Sequence, residues 1–196
     1  MLKRVIIAGL TAAAVILGIA GARIAADSRQ GNTAAALPGI GGHFRLTTPA
    51  GAAVTDRSFP GKWLLVYFGY TFCPDACPTA LNALGTALDE LAPLTTEVQP
   101  IFITVDPERD TPQVVADYVN AFDSRIVGLS GAPDQIAAAA KEFRVYYKVR
   151  PLGNDEYAID HSSFIYVINP QGQVAELLMG NLPGHSMAEE LRRLMG

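Results

Sequence analysis

The chain has 196 residues, 49% of them apolar and 17% charged, which excludes a disordered chain and leaves enough sequence to bury a real core. All 19 acidic residues follow Arg23, where only 12 of the 15 basic ones lie, so that part of the chain carries a net charge near −7. With no basic cluster there, nucleic-acid binding is not expected, and an acidic surface favours a basic protein partner or plain solubility.

Lys3 and Arg4 precede an uncharged run, Val5 to Ala22, that Arg23 closes. A helix of that length spans about 27 Å, roughly the hydrocarbon thickness of a bilayer, and is longer than a signal-peptide core. Residues 1–23 are expected to form an uncleaved signal-anchor, with Ala20-Gly21-Ala22 as the alternative cleavage site. Lys3 and Arg4 would stay in the cytoplasm. The expected location is a bacterial inner membrane, crossed once, with the globular part in the periplasm. The segment lacks the Arg- and Ser-rich character of a mitochondrial transit peptide. Residues 24–42, polar and rich in Gly and Ala, read as a linker, and residues 43–196 as one domain.

Within that domain His43 to Thr47 alternates like a strand and pairs with Val54 to Phe59 in a hairpin. Lys62 to Tyr70 is an apolar run that reads as a buried strand. Pro78 to Leu91 follows as a helix with Leu81, Leu84, Leu88 and Leu91 at helical spacing. Val98 to Val105 is a second core strand. Thr111-Pro112 opens a helix that runs to about Phe122, with Thr as cap and Pro in the first turn. A short strand at Arg125 to Leu129, an Ala-rich helix at Pro133 to Phe143, an extended stretch at Val145 to Val149 and a turn at residues 153–156 come next. Strands at Ser163 to Ile168 and Gln173 to Met179 form a hairpin, and Met187 to Met195 is a closing helix. This order gives an α/β fold: a thioredoxin-like mixed sheet flanked by helices, with an extra N-terminal β-hairpin and the membrane helix ahead of it.

The chain has two cysteines, in Phe72-Cys73-Pro74-Asp75-Ala76-Cys77-Pro78, at the junction of the first core strand and its helix. A helix N-terminus lowers a thiol pKa and so favours the reactive thiolate. Cys73, in the loop, is expected to be the more exposed thiol, and Cys77 starts the helix. The pair suits dithiol–disulfide exchange, and it also suits Cu(I), which favours sulfur ligands. Dithiol oxidoreductases mostly carry two intervening residues; three widen the loop and favour a metal between the sulfurs. In an oxidising compartment the thiols need a reductant.

A third ligand is expected at His161, just before the strand Ser163 to Ile168. Ordinary thioredoxins carry a proline in that loop, and this chain has none between Pro151 and Pro170. Asp160 is expected to orient the imidazole or approach an oxidised metal, or else to cap the strand entrance. His43 reads as a surface or packing residue, and His185 as a loop residue. Asp106 to Asp110 reads as a structural loop, fixed by an Arg109 pair with Asp106 or Asp110. A peroxiredoxin-type peroxidase is disfavoured, because Val66 and Tyr70 stand where that family has Pro and Thr before the cysteine.

Three motifs in order, Tyr67-Phe68-Gly69-Tyr70-Thr71-Phe72-Cys73-Pro74-Asp75-Ala76-Cys77-Pro78, then Thr104-Val105-Asp106-Pro107-Glu108-Arg109-Asp110-Thr111-Pro112, then Asp160-His161-Ser162, resemble the Sco/SenC family of copper-binding assembly proteins for cytochrome oxidase. The resemblance covers most of the chain from about Gly39. It implies a membrane-anchored thioredoxin-like domain that binds copper through Cys73, Cys77 and His161, as Cu(I) with Cu(II) as a second state. It implies service to the binuclear copper site of cytochrome c oxidase subunit II, by copper delivery or by thiol reduction. In the second case Cys73 and Cys77 would be the catalytic redox pair. A thiol reductant or another copper chaperone is the further partner expected.

Overall fold

Trp63–Gly69 (β3) has apolar or glycine residues at every position, and Leu64 to Gly69 are all buried. Such a run suits a strand covered on both faces. It is the middle of a five-stranded sheet in the order β5–β4–β3–β8–β9, where β4 is Val98–Thr104, β5 Val127–Leu129, β8 Phe164–Ile168 and β9 Val174–Met179. β3 runs parallel to β4, and β4 parallel to β5. β8 is antiparallel to both β3 and β9. The computed structural model describes residues 37–154 and 156–196; the expected membrane helix and most of the linker lie outside the described residues.

Among the described residues four α-helices complete the domain: α1 (Ala76–Glu90), α2 (Pro112–Asn120), α3 (Pro133–Glu142) and α4 (Gly184–Met195). Alternation along β3 sends neighbouring side chains to opposite faces. Tyr67 meets Phe102 of β4, which meets Tyr118 of α2. Phe68 meets Phe143, just past α3, and Tyr166 of β8. α1 buries Ala80, Leu81, Leu84, Ala87 and Leu88. Burial of each of those leucines contributes about 2 kcal/mol.

A hairpin of β1 (Arg45–Thr47) and β2 (Ala53–Thr55) lies outside the main sheet, joined to it by a bridge from Thr47 to Ser130. β2 is shorter than the sequence suggests because Ser58 turns the chain back, its Oγ accepting from the Thr55 N–H. The end of the segment read as linker packs onto the domain: the Leu37 N–H donates to the Val174 carbonyl and the Gly41 N–H to the Glu142 carbonyl.

Two elements differ from the sequence reading in ways that matter to function. α1 starts at Ala76, two residues early, so Cys77 lies inside its first turn. Pro78 does not prevent this, because first-turn N–H groups have no intrahelical partner for proline to remove. Where the sequence reading has only an extended stretch at Val145 to Val149 and a turn at residues 153–156, the chain forms a second separate hairpin of β6 (Tyr147–Gly153) and β7 (Glu156–His161). Most of β6 is exposed, so it carries no apolar alternation to signal a strand.

Candidate metal centre

Three elements meet at the C-terminal end of β3. The loop after β3 supplies Cys73, the first turn of α1 supplies Cys77, and the last residue of β7 supplies His161. The His161 Nε2 lies 3.8 Å from the Cys73 Sγ and 3.6 Å from the Cys77 Sγ. All three ligand atoms fall within 4.8 Å of one another, and this is the one such group of three or more His, Cys, Asp and Glu among the described residues.

Each side chain is held from behind. The Cys73 loop is fixed by Asp110, a fully buried carboxylate. Its Oδ2 accepts from the Thr71 N–H at 2.9 Å and the Thr104 hydroxyl at 2.6 Å, and its Oδ1 from the Thr71 hydroxyl at 2.6 Å. Three donors satisfy a charge that would otherwise be costly to bury. Cys77 sits over Gly69, where a Cβ would lie 2.6 Å from its Sγ. The sulfur occupies the space that the missing side chain leaves.

His161 stands edge-on between Tyr67 and Tyr70, with ring centroids 6.2 and 5.8 Å away. Its Nδ1 lies 3.1 Å from the Ser162 carbonyl oxygen. A carbonyl only accepts, so Nδ1 carries the proton and, in the neutral ring, Nε2 presents its lone pair to the sulfurs.

The thiols are unequal. Cys73 is 8% exposed and Cys77 fully buried, and neither is in a disulfide. Hydrogen bonding from the Cys77 thiol, and from the backbone N–H groups of Cys77 and Asp75, holds the Cys73 thiol well below its ordinary pKa, against the opposing effect of burial. The Cys77 N–H points at the Cys73 Sγ from 3.4 Å, as a helix N-terminus favours a thiolate. The bond to Cys73, then burial, pushes the Cys77 thiol far up. The Tyr67 hydroxyl lies 4.0 Å from the Cys77 Sγ and 3.0 Å from the Ser163 Oγ, and burial raises its pKa strongly.

Two thiolate-forming sulfurs and one imidazole nitrogen make a soft donor set. The separations of 3.6 and 3.8 Å from nitrogen to each sulfur match donors about 2.0–2.3 Å from one shared ion, the range of metal–nitrogen and metal–sulfur bonds. The residues fit a soft metal without rearrangement of the backbone.

Asp160 lies elsewhere. It is exposed, and its Oδ1 accepts from the Arg150 Nε at 3.2 Å. Neighbouring strand residues face opposite ways, and the partner of the His161 Nδ1 is the Ser162 carbonyl. His43 pairs with Asp56, and His185 with Glu90 and Glu189, both as exposed side chains. Arg109 pairs with Asp106 rather than Asp110. Sequence reasoning did not single out Gly69, Tyr67 as the wall of the site, or Tyr157, whose hydroxyl donates to the Asp106 Oδ1 at 2.8 Å. Tyr67 was findable from the alternation of β3; Tyr157 carries no such signal.

Residues 32–196 match the SCO1/SenC family model. The human mitochondrial SCO1 homologue is 43% identical over 139 residues, 69% of this chain but 46% of that protein, so the match spans about half of the relative's length. Protein SenC of Rhodobacter capsulatus is 41% identical over 167 residues, 85% of this chain and 75% of that one. The solved structure of Bradyrhizobium japonicum ScoI with copper bound is similar at a TM-score of 0.73 and 41% identity, covering 79% of this chain and 99% of that one. The chain belongs to the SCO1/SenC family.

Proposed function

We propose that this protein is a copper chaperone. It binds one Cu(I) through the Cys73 and Cys77 sulfurs and the His161 Nε2, and passes it to the cysteines of the binuclear copper site of cytochrome c oxidase subunit II. The observation that carries this reading is the cluster of two sulfurs and one imidazole nitrogen within 4.8 Å. The similarity to Bradyrhizobium japonicum ScoI, whose structure was solved with copper bound, supports it.

Copper here is cargo. Cys73 sits at the edge of the site beside Phe72, which is 63% exposed, so an incoming thiolate reaches the metal from that side. Ligand exchange then replaces Cys73, His161 and Cys77 in turn, with no change in oxidation state. Residues 1–23 would anchor the domain, 24–42 would tether it, and residues 43–196 would work in the periplasm, loaded by another chaperone or kept reduced by a thiol reductant. Transfer is tested by mixing the Cu(I)-loaded chain with the reduced soluble domain of subunit II and following copper by size separation and absorption. Movement of copper to that domain supports the reading; retention on this chain opposes it.

A second reading, thiol–disulfide exchange on subunit II, is favoured by the unequal thiols. The Cys73 thiolate attacks a target disulfide, forms a mixed disulfide and releases one target thiolate. Cys77 loses its proton, attacks the Cys73 sulfur and releases the second, leaving a Cys73–Cys77 disulfide and two reduced target cysteines. A mixed disulfide through Cys73, trapped in Cys77→Ser, supports this; its absence opposes it.

A further inference from the structure

The hairpin that carries His161 hydrogen-bonds as a two-stranded sheet of its own and is mostly exposed along β6. A free-standing two-stranded hairpin is marginally stable, yet it must hold an imidazole within 3.8 Å of two sulfurs. Something else has to fix it.

Ile159 packs β7 into the core, and one guanidinium pins the strand where it starts. The Arg109 Nε donates to the Asp106 Oδ2 at 2.5 Å, and its Nη1 donates to the Tyr157 carbonyl of β7 at 3.0 Å. The guanidinium carbon stands 3.6 Å from the centre of the Tyr157 ring, and the Tyr157 hydroxyl closes the circuit on the Asp106 Oδ1 at 2.8 Å. Asp106 is itself buried, and its N–H donates to the Thr104 hydroxyl at 2.9 Å, at the end of β4. The same guanidinium lies 4.7 Å from the Phe72 ring and 5.8 Å from the Tyr70 ring. It therefore stands between the cysteine loop and the histidine hairpin.

We propose that Arg109 and Tyr157 are positioning residues for His161. Tyr157, Ile159 and His161 alternate along β7 and share its inward face. A pin at Tyr157 therefore sets where the imidazole lands, about 13 Å further along the strand at 3.3 Å per residue. A partly buried ion pair is a weak stabiliser on its own, because desolvation offsets its attraction. Here the Arg109 Nη2 is also buried with no partner among the described residues. What the planar fork supplies is direction: it fixes the Tyr157 carbonyl and ring together, which a lysine cannot do.

The inference rests on His161 being a copper ligand, and a double-mutant cycle separates the two claims. Cu(I) affinity is measured by chelator competition on the full chain in mild detergent, for wild type, Arg109→Met, His161→Ala and the double variant. If Arg109 acts through His161, Arg109→Met loses about tenfold alone and less than about twofold in the His161→Ala background. Wild-type affinity in Arg109→Met, with a clear loss in His161→Ala, overturns the positioning role and leaves the ligand standing. An equal loss in both backgrounds also overturns it, since Arg109 would then act on the fold or the cysteines. No loss in His161→Ala overturns the ligand and the pin together. Tyr157→Phe, which removes one hydroxyl and keeps the ring, carries the same cycle if Arg109→Met does not fold. A metal-free readout accompanies it: amide exchange at Ala158 and Ser162 should quicken in Arg109→Met and Tyr157→Phe while exchange in β3 and β4 holds.

Discussion

The His161 Nδ1 donates to the carbonyl of the very next residue, Ser162, at 3.1 Å. That short contact assigns the imidazole proton to the side away from the sulfurs and leaves Nε2 to face Cys73 and Cys77. A backbone carbonyl does not titrate, so the tautomer is set by the path of the chain rather than by a neighbouring acid.

The unequal thiols lead to a prediction about pH. Cys73 is held well below the ordinary thiol pKa, so its thiolate persists as pH falls; Cys77 is pushed up and stays protonated. In the reduced, metal-free chain, iodoacetamide should label Cys73 at a nearly constant rate from about pH 9 to about pH 7, where an ordinary thiol of pKa about 8.5 slows about 25-fold. Cys77 should stay unlabelled. Mass spectrometry of quenched samples checks both, and a 25-fold slowing at Cys73 contradicts the assignment.

Gly69→Ala should damage the site from below. The new Cβ would lie 2.6 Å from the Cys77 Sγ and 3.0 Å from Phe102. Overpacking of this kind costs about 1–3 kcal/mol, and it pushes one sulfur away from the other two donors. Thermal melting should show the destabilisation, and a Cu(I) titration a loss of affinity.

Asp110→Asn should loosen the cysteine loop. An amide presents a donor where one carboxylate oxygen accepts from Thr71 or Thr104. A buried mismatch of that kind costs about 1–3 kcal/mol. Chemical denaturation should show a lower midpoint, and amide exchange should quicken at Thr71 and Cys73 before the rest of the domain. Unchanged exchange there would show that Asp110 does not hold the loop.

Asp160→Asn should change little. Its carboxylate is half-exposed and faces Arg150, and an exposed pair contributes about 0–1 kcal/mol. Cu(I) affinity is expected to stay within about twofold of wild type, about 0.4 kcal/mol. A tenfold loss would place Asp160 in contact with the bound metal.

The sequence was informative where chemistry and periodicity coincide. The apolar run of β3, the leucine spacing of α1 and the cysteine pair between them located two of the three residues that cluster at the end of β3. The missing proline before β8 pointed to His161. The hairpin that presents His161 was not legible, because Lys148, Arg150 and Leu152 of β6 are all exposed and bury no repeating face. Spacing also left two partners open to Arg109. The structure pairs it with Asp106 because Asp110 points inward to Thr71 and Thr104. Adjacency in sequence suggested Asp160 as the partner of His161, but adjacent strand residues face opposite sides and the carbonyl of Ser162 takes that place. Tyr157 joins the site through a contact across 51 residues of chain, which no local pattern encodes.

The central claim is that three side chains hold one copper ion. It is tested most directly by a Cu(I) competition titration of the reduced full chain against a chromophoric chelator, beside Cys73→Ser and His161→Ala. The account predicts one copper per chain, a sharp loss in Cys73→Ser, and at least about a tenfold loss in His161→Ala, or about 1.4 kcal/mol. Weak binding by the wild type, or equal binding by His161→Ala, would contradict it and leave a dithiol site.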